Sequence, residues 1–453
     1  MVDATEARSS GELHRSECIG ADRICDPMLV PTCSDSPDEE VCIHAGNGLP
    51  VTQRSAVVVV VDRLGAGWLG PYGNTWIETP GFNRLASQSL MFETALSDSV
   101  ELSTYYRSVW SGQHAFAQSL DGPDSLCTLL GSTAVETHLL TDSQQLVGLP
   151  LAGEFDRITE VPSMSIDSNA ETMGDTQLAR LFATAADAVL DSQEPFCLWV
   201  HATGLNGCWD APLELREQFA EEDDPSAPGF VEVPERRLDH RFDPDWLLGI
   251  QHACAGQVAL LDACMEVLVD AIDASRVADN SLLIVTSPRG FPVGEHHRVG
   301  ACDHALFGEL IQVPLFCRFP EGKMATGRER GLIQPASLYD TLADWFDVLQ
   351  RPSSQWAHSV LLPTEESASF RDRGFSVAKG YQAVRTPGWF LCTSDEEEHK
   401  LFVKPDDRRE VNDVSSRRED VVELLLEVLQ DARGKVHGEP LRELSKVLID
   451  GPE

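Results

Sequence analysis

Six consecutive apolar residues, AVVVVV at positions 56–61, stand between Ser55 and Asp62, and five of them are β-branched. A run without polar alternation has no solvent face. It is also far shorter than the ~20 residues that cross a bilayer. It reads as a central strand of a parallel sheet, covered on both faces, and that commits the chain to an α/β layered fold. Asp62 ends the run and opens a glycine-rich loop, RLGAGWLGPYGN. Open α/β sheets carry their chemistry at the carboxyl ends of strands, so Asp62 is a candidate functional residue; the plain alternative is that it caps the loop.

The rhythm repeats downstream. Leu178, Leu181, Phe182, Ala185, Val189 and Leu190 keep a helical period, and FCLWVH at 196–201 then reads as a second buried strand. Ile250, Cys254, Val258, Leu261, Met265, Leu268 and Ile272 mark another helix before the strand LLIVTS at 282–287. This alternation predicts a mostly parallel central sheet flanked by helices on both faces. The charged, proline-containing stretch 216–245 reads as a surface loop. After Gln350, short segments around YQAVR, WFLCT and KLFVK predict a small antiparallel sheet, and Val421, Leu424, Leu425, Val428 and Leu429 a terminal amphipathic helix. The expected organisation is a polar N-terminal extension at 1–52, an α/β domain at 53–350 and a C-terminal subdomain at 351–453.

Composition limits partners. Lys and Arg number 35 against 73 Asp and Glu, a formal charge of −38, which repels nucleic acid and anionic lipid. Hydrophobic residues at 42% and charged residues at 24% exclude a mainly disordered chain. The opening residues contain no apolar signal core and no run is long enough to span a membrane, so the expectation is a cytoplasmic protein whose twelve cysteines are free thiols. Cys18, Cys25, Cys33 and Cys42 match no usual zinc spacing.

Several landmarks follow one another in order: Asp62 with its loop, ETPGFNRLASQSLMFETALS from Glu78, WSGQH from Trp110, FCLWVH, LLIVTSPRG, GEHH, QVPLFCR, AVRTPGWFL and KLFVKPDDRREVNDV. Together they resemble the sulfatase family of the alkaline-phosphatase superfamily over roughly residues 55–429. The resemblance implies an alkaline-phosphatase-like fold. It also implies sulfate-ester hydrolysis by a formylglycine made from the Cys of a C-x-P-S-R motif, with a Ca²⁺ clamping the sulfate and Lys, His and Arg steadying its charge. A dianionic transition state needs such a hard cation, preorganised donors and an activated nucleophile.

Residue by residue, those features are missing. The family's paired aspartates become Asp62-Arg63. Leu102 takes the nucleophile position, with Thr104 and Tyr106 at the Pro and Arg positions; a one-residue slip offers Ser103 and Arg107 instead. The second metal pair of the family's T-S-D-H/N-G motif becomes Pro288-Arg289. A family His falls at Asn206 and a family Lys near Asp303. Asp62 is thus the single retained ligand position. Neither Ca²⁺ nor formylglycine is expected, and the chain reads as a pseudoenzyme with a binding or regulatory role towards a protein partner or small anion. The competing reading is an active sulfuric or phosphoric ester hydrolase using Ser103 or Thr104. His296, His297, Asp303 and His304 could hold a transition metal, but adjacent residues of an extended chain point apart, which favours surface histidines. Arg63 and Arg289 could flank Asp62 in place of the lost cation, either keeping an anion pocket or tying two strand ends together. No C-x-P-x-R occurs in the chain. Mass spectrometry of tryptic peptides is therefore expected to find all twelve cysteines unconverted, with no aldehyde mass on any of them.

Overall fold

In a computed structural model the protein is described at residues 54–117, 124–164, 167–193, 195–229, 232–301, 305–350, 354–361, 372–436 and 438–452. The extension at 1–52, Asp303 and His304 lie outside these residues. Among the described residues every cysteine is a free thiol, and no helix is long and apolar enough to cross a membrane.

The apolar run forms β1, Ser55–Val61, with every residue buried. Around it stand β2 (Leu90–Leu96), β3 (Glu136–Thr141), β4 (Arg157–Glu160), β5 (Phe196–Ala202), β6 (Ser281–Thr286), β7 (Leu315–Arg318) and β8 (Arg328–Ile333). The sheet order is β8-β2-β7-β6-β1-β5-β3-β4, with the short strand Gln312–Val313 beside β2. β1 pairs parallel with β5 on one side and β6 on the other, so it is central, as its composition predicts. β7 runs antiparallel between β6 and β2. The sheet is therefore mostly, not wholly, parallel.

Alternate β1 side chains feed two cores. Val57, Val59 and Val61 pack with helices α1 (Pro80–Ser87), α3 (Gln177–Asp191) and α4 (Pro244–Ala274). Ala56, Val58 and Val60 pack with α2 (Leu102–Ser111) and α5 (Ala336–Trp345) on the opposite face. Each fully buried Val stabilises by roughly 1.5–3 kcal/mol. The C-terminal strands β9 (Gly374–Ala378), β10 (Tyr381–Arg385), β11 (Trp389–Ser394) and β12 (His399–Val403) form an antiparallel meander. Its Val384, Trp389, Leu391 and Leu401 bury the apolar stripe of α6 (Glu419–Arg433). Ala383, Phe390 and Phe402, on the other face, pack against Leu96, Phe307 and Ile311.

Two local readings change. β9 was not foreseen. Arg216, expected in a surface loop, is fully buried because its guanidinium donates to the Trp209 and Pro228 carbonyls. A long-range contact also caps α1. Thr79 supplies no side-chain cap there; Asp262, from α4, accepts from the Gly81 and Phe82 amides at 2.9 and 2.8 Å. Asp262→Ala is expected to destabilise by about 2 kcal/mol through these orphaned donors, read as a lower urea midpoint at unchanged m.

Candidate functional site

β1 and β6 are neighbours in register, with Val60 opposite Thr286, so the residues that follow both strands emerge at one sheet edge. Asp62 leaves β1 there, buried at 1% exposure. Arg289 leaves β6 through Thr286, Ser287 and Pro288, and the Ser287 hydroxyl folds that turn by donating to the Arg289 carbonyl at 2.6 Å. The guanidinium then grips Asp62 in a two-pronged pair: Nε to Oδ1 and Nη2 to Oδ2, both 2.9 Å. Its Nη1 donates to the Val100 carbonyl at 2.7 Å, just before α2 begins.

Arg63 turns away at φ 68°, a left-handed conformation uncommon for a side-chain-bearing residue. It is buried, and its Nε donates to Asn206 Oδ1 at 3.4 Å. Asn206 is held there because Leu205 N donates to the Asp62 carbonyl at 3.0 Å. Only glycine fits before it: Gly204 has φ 59°, and a Cβ would lie 2.6 Å from the Asp62 carbonyl oxygen. Asp62, Arg63, Asn206 and Arg289 thus meet through hydrogen bonds. Next to them His201 shares a 2.6 Å hydrogen bond between its Nδ1 and the Tyr106 hydroxyl.

The other sequence candidates do not join this cluster. Leu102 is buried in the α2 core. Ser103 is exposed and Thr104 half-buried on the first turn of α2, and neither hydroxyl makes a hydrogen bond among the described residues. Asp303 lies outside them.

Charge explains the geometry. Burial raises the Asp62 pKa, but Arg289, through its charge and hydrogen bonds, and then Arg63 hold it below the ordinary carboxylate value. Burial and the neighbouring Arg289 pull Arg63 down to about 10, against Asp62 and the more distant Glu235 and Glu101. His201 is pushed down by burial despite Asp62 and Asp142. The calcium and formylglycine implied by the resemblance do not fit these residues. Both Asp62 oxygens are committed to a guanidinium, Pro288 has no donor atom, and Leu102 has no thiol. Two unit charges about 4 Å apart at an effective dielectric near 20 repel by roughly 4 kcal/mol, and a divalent ion beside each arginine doubles that.

His297 is exposed, as expected, but the reason given for it and the placement of His296 require a correction. The chain is not extended there: φ is 47° at His296 and 59° at His297. His296 is half-buried and stacks on Phe307 with ring centres 3.8 Å apart. Its Nδ1 meets Glu309 Oε1 at 2.8 Å and its Nε2 the Glu410 carbonyl at 3.0 Å. Two acceptors need two ring protons. Burial opposes that charge, but the Glu309 hydrogen bond and charge outweigh it and raise the pKa. His296, Glu309 and Glu410 have ligand atoms within 4.8 Å of one another. The Glu410 carboxylate, however, is already taken by Lys404 Nζ at 2.8 Å and Gly308 N at 2.6 Å. Sequence reasoning singled out His296 but had no signal for its partners, because Glu410 lies more than a hundred residues further along the chain.

The family model described as Sulfatase matches residues 54–348. Among solved structures, a phosphonate monoester hydrolase of Agrobacterium radiobacter is 14% identical, with 84% of this chain and 96% of that chain covered at a TM-score of 0.66. A protein solved in complex with its substrate D-glucosamine-2-N,6-O-disulfate has the same identity and TM-score, covering 84% and 98%. A putative sulfatase from Bacteroides thetaiotaomicron is 14% identical at a TM-score of 0.63, covering 87% and 96%. At these identities the likeness concerns the fold. No curated protein matches the chain.

Removing one partner of a buried pair typically costs about 3–5 kcal/mol. Asp62→Ala is expected in that range by urea unfolding, and Asp62→Ala with Arg289→Ala to recover part of it. The folded Asp62 pKa is depressed, so its contribution is present above the ordinary carboxylate value and lost as pH falls through the folded value. The stability gap between parent and Asp62→Ala should therefore close on acidification below the carboxylate range.

Proposed function

We propose, for a chain that belongs to the sulfatase family, that the fold is kept while ester cleavage is given up, and that the protein acts by binding. One observation carries this reading: both oxygens of Asp62, the one retained metal-ligand position, are occupied by the fork of Arg289. A planar guanidinium satisfies a carboxylate bidentately and is always charged. It supplies the positive charge that a metal would bring, but it has no vacant coordination site to polarise a substrate oxygen. The buried Leu102 side chain supports the same reading, since it offers neither nucleophile nor space for one. Ser103 and Thr104 have hydroxyls without a hydrogen-bonded base among the described residues, so the hydrolase alternative lacks the activation such nucleophiles need.

On this reading the Asp62–Arg289 pair holds the sheet edge closed, and the role is regulatory or structural, towards a protein partner or a small anion. The test is twofold. Aryl sulfate, phosphate monoester and phosphonate monoester substrates are expected to show no turnover above that of Asp62→Ala. Elemental analysis of the purified protein is expected to find no stoichiometric Ca, Mg, Mn or Zn. Turnover that disappears in Asp62→Ala, or a stoichiometric metal, overturns the reading.

A further inference from the structure

Away from the Asp62 corner, one region has a local charge opposite to that of the molecule. A cavity of about 600 Å³ lies among the 70–73 loop, β2, β8 and the C-terminal sheet. Its charged lining is Arg328, Arg385, Lys404 and Arg408 against Glu93 and Glu410. Four cations less two carboxylates leave +2, in a chain of formal charge −38. Neither Asp62, Arg63, Asn206 nor Arg289 lines it.

The two carboxylates are already used. Lys404 Nζ is 2.8 Å from Glu410 Oε1, and Arg328 Nη1 is 3.7 Å from Glu93 Oε1. Arg385 and Arg408 have only neutral partners. Arg408 Nη2 donates to the Tyr72 carbonyl at 2.6 Å. Arg385 uses Nη1 alone, towards the Thr386, Pro387 and Trp389 carbonyls. Its Nε and Nη2, and the Nε and Nη1 of Arg408, make no hydrogen bond among the described residues. Asp407, next to Arg408, is turned to the Val411 and Asn412 amides at 2.9 and 2.8 Å. Burial pulls Arg385 down to about 10 with only Glu410 opposing, the mark of a cation short of counter-charge.

We propose that this cleft binds a small molecule through a phosphate-type oxyanion, held by the unused guanidinium donors of Arg385 and Arg408. Arginine forks match the oxygen spacing of a tetrahedral oxyanion, and charge-assisted bonds of this kind are the strong ones. The volume is in the range of small-ligand sites, roughly 300–1,000 Å³. The surrounding −38 field disfavours long polyanions but leaves a compact ligand in a locally positive cleft unaffected at short range. The proposal does not depend on whether the Asp62 corner is catalytic.

Calorimetric titration of the full chain with inorganic phosphate, at ionic strength matched with chloride, tests it. Saturable binding is expected. Arg408 is exposed, so Arg408→Gln should fold as the parent does, which its melting curve checks, and should weaken phosphate about tenfold or more. Arg385→Lys, which keeps the charge and loses the fork, should weaken it as well. Arg180→Gln, on an exposed position of α3 outside the cavity lining, should leave binding unchanged. No saturable binding, an unaltered affinity in Arg408→Gln, or an equal loss in Arg180→Gln overturns the proposal. Acetate binding as tightly as phosphate overturns the assignment to a tetrahedral oxyanion.

Discussion

The pairing of Asp62 with Arg289 couples the two strands at the centre of the sheet. β1 and β6 run side by side, and each ends in one half of an ion pair that is almost fully withdrawn from water. A buried charge without a partner is costly, so each loop is bound to the position of the other. The neighbouring contacts follow from that constraint. Arg289 spends its third nitrogen on Val100, which fixes the approach to α2. The Asp62 carbonyl receives Leu205, which places Asn206 within reach of Arg63. Gly204 is where it is because no side chain fits against that carbonyl.

The arrangement also explains how an acidic protein holds buried cations. Arg63 and Arg289 share one adjacent carboxylate, and the remaining compensation comes at longer range from Glu101 and Glu235. The C-terminal sheet repeats the theme with different parts. Glu410 takes Lys404 and the Gly308 amide through its side chain, while its carbonyl receives the His296 ring. This single residue joins the segment after β12 to the loops that follow β6. Arg385 and Arg408 lie beyond its reach for direct pairing and are left with backbone carbonyls.

The family resemblance and the departure from it sit in the same residues. Matching landmarks in order identify the fold because they mark strands and turns, which burial and backbone geometry preserve. The site is a different matter: the features that the resemblance implies depend on individual side chains, and the positions aligned with them carry Arg63, Leu102 and the pair Pro288-Arg289. Fold and chemistry are separable for this reason.

Much of the architecture was legible beforehand. β1, β5 and β6 are continuous apolar runs, and α3, α4 and α6 keep a helical period, so local pattern and final burial agree. β9, the antiparallel course of β7 and the burial of Arg216 were not legible, because each is decided by partners distant in sequence. The same holds at the site. The sequence by itself determined that Asp62 stands at a strand end and that an arginine, Arg289, follows another strand. Only the tertiary structure decided that Arg289, and not Arg63, takes both Asp62 oxygens. The physical reason is backbone direction: Arg63 leaves its strand in a left-handed turn that carries its Nε to Asn206, whereas the turn after β6 delivers Arg289 with its fork aligned to the carboxylate.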